Sequence, residues 1–298
     1  MPYSRRVSQL AFWSIIVAFG VMAIKFAAWW MSGSIALYSD ALESIVNVIA
    51  AGVAWFAIRL SHKPADQNHQ YGHHKAEYIS AVIEGVLIVL AALMIFKEAF
   101  AALLSSHVLD SPWQGMAVNA LAAAINGFWA WLLISTGKRE RSPALSADGR
   151  HILADVVTSV GVLAGLLIAL ATGWVVLDAV LAILVGANVL REGWKVVSSS
   201  LNGLMDVATS AETYELIRKT ILANASGAIE VHDIKTRIAG PDSFIEFHLV
   251  VDGELTVAES HKICDRIEDA LQEAITGAKT TIHVEPDHMK KETGLAIN

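Results

Sequence analysis

Cysteine and charge are what this chain has least of. Its 298 residues include one cysteine, Cys264, which excludes an intrachain disulfide and a cysteine-ligated zinc cluster. Charged residues make up 17% of the chain and hydrophobic ones 54%, whereas a soluble protein carries about a quarter charged. With a mean hydropathy of +0.49, the chain is expected to be a membrane protein. The net charge of −7 comes largely from residues 191–298. No basic face is evident, which argues against nucleic acid as a partner. The start carries Arg5 and Arg6 ahead of an apolar run, but no small-residue cleavage pattern follows, so this run reads as a retained first span. There is no HExxH-like pairing and no serine nucleophile constellation, which weighs against an enzyme.

What the chain has instead is long apolar runs. Six are long enough to cross about 30 Å of hydrocarbon as helices: residues 7–31, 35–60, 76–103, 113–136, 145–171 and 174–190. Basic residues collect at the N-terminus, between spans two and three, between four and five, and after six. The other three connections, 32–34, 105–112 and 172–173, contain no Lys or Arg. By the positive-inside rule both termini are cytoplasmic, at the plasma (inner) membrane of the cell. Lys25 and Lys97 fall inside spans near their outer ends, where long side chains snorkel to the interface. The expected organisation is a transport domain at 1–205, a cytoplasmic domain at 206–290 and a tail at 291–298.

Two of the apolar segments carry matching polar frames. Ser34, Ala36, Leu37, Asp40, Glu43 and Asn47 align at a constant offset with Ser142, Ala144, Leu145, Asp148, His151 and Asp155. Spacing of i, i+3 and i+7 puts Asp40, Glu43 and Asn47 on one helical face, and Asp148, His151 and Asp155 on another. Ionisable groups in lipid are costly and usually functional. If spans two and five pack together, Glu43, Asn47, His151 and Asp155 offer two carboxylates, an amide oxygen and an imidazole, a set suited to a divalent first-row metal. Asp40 and Asp148 lie nearer the span starts and suit supporting hydrogen bonds or helix contact. Span two starts outside and span five inside, so the frames run antiparallel, as in transporters built around a midplane site.

Two further clusters lie outside the spans. Asp66, His69 and His73 are spaced three and four apart in one loop, with Gly72 allowing a turn, and can offer three ligands to zinc or a similar ion. The C-terminal region reads as helix 210–223, strands 229–238 and 243–251, helix 256–275 and strand 280–284. That α-β-β-α-β order suits a small ferredoxin-like, open-faced sandwich. It holds His232, His248, His261, His283 and Glu285, with Asp233, Asp265, Asp287 and His288 nearby. They converge only if the sheet order brings their strands together.

Taken together, the six spans, the polar quartet, the loop PADQNHQYGHHKAE, and the segments VHDIKTRIAGPDSFIEFHLVV and TTIHVEP resemble the cation diffusion facilitator family, particularly its bacterial zinc and iron efflux branch. The resemblance covers nearly the whole chain. It implies a homodimer in the lipid bilayer that exports a cytoplasmic divalent cation in exchange for protons by alternating access. Zinc is the first choice of cargo, followed by iron(II), manganese(II) and cobalt(II). It further implies a transport site at Glu43, Asn47, His151 and Asp155, a loop site at Asp66, His69 and His73, and a tail site at His232, His248, His261, His283 and Glu285. Lys75 and Asp206 match an interlocked charge pair near the dimer interface. Where related transporters usually carry two aspartates, or a histidine and an aspartate, this chain has Glu43 and Asn47. A membrane-anchored metal sensor and an intramembrane metal hydrolase are the competing readings.

Overall fold

The computed structural model describes residues 5–32, 35–104, 113–172 and 175–297. The three connections expected on the outer side fall largely outside the described residues, as do the side chains of Asp40 and Glu43. The chain divides into two compact units, 2–201 and 202–298.

The first unit is all helical: α1 (Arg5–Ser32), α2 (Ile35–Ser61), α3 (Ala76–Leu104), α4 (Trp113–Arg139), α5 (Pro143–Thr172) and α6 (Val175–Leu204). Among the described residues, stretches in α1 to α4 are long and apolar enough to cross a membrane. Helix α5 has 30 residues, about 45 Å of rise, with Asp148, Arg150, His151 and Asp155 gathered in its first half and an apolar run from residue 156 to 171. Helix α6 runs on to Leu204, well past the expected end of the sixth span at residue 190. Arg191 and Lys195 mark where the apolar run stops, but the helix runs on through Gly193 between them, with no proline to end it.

Helix α5 is the hub of this unit. One of its sides packs Ala144, Leu145 and Ile152 with Val7 and Ala11 of α1, Ile58 of α2 and Leu133 of α4. Another packs Ala147 and Ala154 with Ala81 and Ile88 of α3 and Val189 and Val196 of α6. Asp148, His151 and Asp155 lie between these sides. Two glycines bring α4 and α5 backbone to backbone. A Cβ on Gly137 would sit 2.7 Å from the Ser146 nitrogen, and one on Gly149 would sit 2.9 Å from the Ile134 nitrogen. Small residues at helix contacts are how membrane helices approach closely.

The second unit contains α7 (Ala211–Asn224), β1 (Ala228–Ala239), β2 (Asp242–Val251), α8 (Val257–Ala274), β3 (Ala278–Pro286) and β4 (Leu295–Ala296). The sheet order is β3-β2-β1-β4. Strands β1 and β2 pair antiparallel, while β2 and β3 are parallel, so the chain must cross over between them, and α8 makes that crossing. Thr256 opens α8 with a capping box closed by Glu259, satisfying two end donors at once. Ile245, Phe247, Leu249 and Val251 alternate along β2 and pack beneath Ile217 and Ile221 of α7 and Ile267 and Leu271 of α8. The other face of the sheet carries Glu246 and His248 of β2 alternating with the buried Phe244 and Val250.

The segment expected as a tail is part of this sheet. Ala296 and Leu295 pair with Glu230 and Val231, and the Ile297 N–H donates to the Ile229 carbonyl at 3.1 Å. A strand of two residues has no periodicity to read in a sequence.

Candidate metal sites

In the membrane unit, polar side chains of α1, α2, α4 and α5 converge. Asn47, His151 and Asp155 are all buried, and so is Lys25 of α1, which is 1% exposed. The Lys25 ammonium does not snorkel. Its Nζ lies 3.1 and 3.0 Å from the two Asp155 carboxylate oxygens. Asn126 of α4 donates from Nδ2 to Asp155 Oδ2 at 3.0 Å. Both ring nitrogens of His151 and the Oδ1 of Asn47 are buried without a hydrogen-bond partner among the described residues. Ser44, Asn47, Asn126 and Ile152 line one small void, so α2 meets α4 and α5 at this depth. A buried polar group left unpaired is expensive, and the Asn47 amide oxygen together with the one lone pair of a neutral His151 ring, in the same buried region as the Asp155 carboxylate, makes a site suited to a cation.

Asp148 lies one turn before His151 on α5. It accepts from Ser14 Oγ of α1 at 2.6 Å, and the Trp129 indole N–H donates to that same Ser14 Oγ at 3.2 Å. At the start of α3, Glu77 is buried and accepts from Ser61 Oγ at 2.8 Å and from Ser142 Oγ. Sequence reasoning singled out none of Lys25, Ser14, Glu77, Glu84 or Asn126 as site residues. Each is a lone polar residue in an apolar run, a signal open to reading, but its partner sits on a helix far away in sequence.

The loop cluster is compact. Asp66 Oδ1 accepts from the backbone N–H groups of Asn68 at 3.0 Å and His69 at 2.8 Å, an Asx-type turn. Gly72 turns the chain with φ +85°. His69 Nδ1 is then 3.4 Å from one Asp66 oxygen and His73 Nε2 is 3.5 Å from the other. His73 is buried, and its Nδ1 lies 3.2 Å from the Lys63 carbonyl. That contact fixes the proton on Nδ1 and leaves Nε2 to bind metal. The Lys63 ammonium hydrogen-bonds Asp66 and, with the His69 N–H, holds its carboxyl well below the usual carboxylate range. One ligand atom from each of Asp66, His69 and His73 lies within 4.8 Å of the others.

In the second unit the register does the assembling. His232 on β1 is opposite His248 on β2, and His248 is opposite His283 on β3. Three histidines thus form one row across the sheet, on the face away from the helices. His248 Nδ1 is 2.9 Å from Glu285 Oε1, and His232 Nε2 is 3.2 Å from Glu285 Oε2. His283 Nε2 is 3.7 Å from Glu285 Oε1. Glu230 adds a second carboxylate, 3.0 Å from His232 Nδ1. Asp233 sits at an irregularity in β1 with φ 51°, grouped with His232 and His248 within 4.8 Å. Its carboxyl is held below the usual range by its hydrogen bond to Lys291. His261 is not in this row. It lies on the exposed side of α8, 3.5 Å from Asp265, and meets Glu285 only as a fellow wall of the groove between α8 and β3. In the membrane unit, Lys75 precedes α3, and its carbonyl accepts from the Tyr78 and Ile79 N–H groups. In the second unit, Asp206 accepts from Arg237 at 3.4 Å.

A helical membrane unit with carboxylate, imidazole and amide groups inside it, followed by an α+β unit with a histidine-rich sheet face, defines a membrane transporter of cations. Residues 11–205 match the cation efflux transmembrane domain and residues 209–287 the cation efflux protein cytoplasmic domain. The chain belongs to the cation efflux, or cation diffusion facilitator, family. It is a divalent-metal efflux transporter of the inner membrane, with a cytoplasmic domain of the dimerising type, and not an enzyme. It is 41% identical over 283 residues to an uncharacterized transporter, sll1263, of Synechocystis sp., covering 95% of this chain and 91% of that one. It is 32% identical over 292 residues to the cation-efflux pump FieF of Yersinia enterocolitica, covering 95% and 94%. Among solved structures, one of CzrB in a Zn form is 49% identical over 28% of this chain and 97% of that one, with a TM-score of 0.28.

Proposed function

We propose that this transporter exports zinc, with iron(II), manganese(II) and cobalt(II) as the next candidates. Export is in exchange for protons, by alternating access, as a homodimer whose termini both face the cytoplasm. The transport site is Glu43, Asn47, His151 and Asp155. The observation that carries this reading is that Asn47 Oδ1 and both His151 nitrogens are buried without a hydrogen-bond partner among the described residues, in the same helix cluster as the buried Asp155 carboxylate.

An arriving divalent cation competes with the Lys25 ammonium for Asp155 and gains the His151 lone pair. A metal ligand must be deprotonated to bind, so loading releases protons and protonation expels the ion. His151 suits this exchange because imidazole titrates near neutrality in water. The loop and sheet clusters take further ions of the same class, with His261, exposed on α8, completing the tail site. Lys75 and Asp206 act as a charge pair near the dimer interface. The test is metal flux in reconstituted vesicles across a pH gradient. Wild type is expected to move zinc and protons in opposite directions, and His151→Ala and Asp155→Ala each to abolish this. Normal coupled flux in both variants would overturn the assignment. A protein that binds metal and moves none would be a sensor.

A further inference from the structure

Two buried acids of the membrane unit lie outside the proposed quartet and are only half-paired. Glu84 of α3 is 0% exposed and Asp148 of α5 is 1% exposed. Ser80 Oγ donates to Glu84 Oε1 at 2.9 Å, and Ser14 Oγ donates to Asp148 Oδ2 at 2.6 Å. The second oxygen of each, Glu84 Oε2 and Asp148 Oδ1, is buried without a hydrogen-bond partner among the described residues. The two residues share a neighbourhood. Glu84 lies on the face of α3 marked by Ala81 and Ile88, which packs on Ala147 and Ala154 of α5, and Asp148 follows Ala147 directly on α5.

We infer that Glu84 and Asp148 form a second intramembrane cation site, a station that a divalent ion occupies on its way to the quartet. Two carboxylates buried in one packed region are costly to keep ionised, and a cation there offsets that cost where each would otherwise take up a proton of its own. Among the described residues neither open oxygen has a hydrogen-bond partner, so both are free to accept a ligand. The serines turn one oxygen of each acid away and leave the other for a ligand. Oxygen-only donors suit hard ions such as manganese(II) better than they suit zinc. Asp148 is three residues before His151, so the station lies about 5 Å along α5 from the quartet. It is nearer the end of α5 where Glu77 and Ser142 meet.

This site rests on the export reading for its role, but its existence can be tested separately. The probe is manganese(II) alone, added to the full chain in lipid nanodiscs. Bound ion is counted by equilibrium dialysis and by the electron paramagnetic resonance of the metal. The background is a His151→Gln/Asp155→Asn variant, which disables the quartet while keeping side-chain volume. In that background Glu84→Gln, which retains an acceptor for Ser80, is expected to remove one manganese ion per chain. Asp148→Asn is expected to remove the same ion. An unchanged ion count in both variants overturns the site. Wild-type flux then separates the two ideas. A protein that loses an ion with Glu84→Gln yet transports nothing keeps this site and overturns the export reading. A protein that transports normally with no Glu84-dependent ion does the reverse.

Discussion

Lys25 and Asp155, 130 residues apart in sequence, form a two-pronged ion pair of 3.0 and 3.1 Å with both side chains sealed from solvent. Breaking a buried pair from one side leaves a charge with nothing to balance it, at a cost of about 3–5 kcal/mol. Lys25→Met is therefore expected to lower the thermal unfolding temperature in detergent. Divalent metal supplies the missing positive charge, so adding it is expected to recover more stability in the variant than in wild type. Equal metal-induced shifts in the two proteins would show that Lys25 and the cargo do not compete.

Asn47 presents a buried amide oxygen where a carboxylate would add both charge and ligand strength. Asn47→Asp is expected to tighten zinc binding by about tenfold, roughly 1.4 kcal/mol, and to slow release. The measurement is competitive vesicle flux of zinc against manganese(II). An unchanged zinc preference would remove Asn47 from the selectivity-determining set.

Loop geometry predicts a pH response of definite sign. The Asp66 carboxyl is held below its ordinary value by Lys63 and the His69 N–H. A depressed carboxyl contributes order that is present above its unfolded value, near 4, and is lost only as pH falls through the lower folded value. The loop is thus expected to keep its turn on acidification through pH 4. Lys63→Ala is expected to raise the Asp66 titration toward the ordinary range, as read from its carboxyl carbon by NMR. A titration that does not move would show that the backbone donor alone sets it.

The far end of the chain closes over the sheet cluster. The Lys291 N–H donates to Glu230 at 3.0 Å and its ammonium reaches Asp233 at 2.6 Å. A Cβ on Gly294 would collide with the Glu230 carboxyl. Gly294→Ala is expected to cost about 1–3 kcal/mol, as overpacking does, and to release residues 287–297 to proteolysis. Wild-type resistance in that variant would show that the segment is held elsewhere.

The sequence made the helices legible because apolar runs of this length have few alternatives. Asn47, His151 and Asp155 stood out because polar residues in lipid need a reason. The histidine row was legible only in part. Alternation put His232, His248, His283 and Glu285 on candidate faces, but convergence depended on β1, β2 and β3 being neighbours. Lys25 misled because a single lysine near a helix end has a cheap alternative at the interface, and nothing local marks a partner on α5. Glu84 lies on α3, outside the matching frames of spans two and five, so no repeat in the sequence marks it. Strand β4 was too short for any pattern.

The glycine seam between α4 and α5 has a mechanical consequence. With Gly137 against the backbone and hydroxyl of Ser146 and Gly149 against the backbone and side chain of Ile134, the two helices are seated so closely that sliding would drive one into the other. These two helices travel together as one stiff plank. Asn126 and Asp155 ride on the same plank, so their contact survives any rocking, while the grip of Lys25, carried on α1, is the one that motion can loosen.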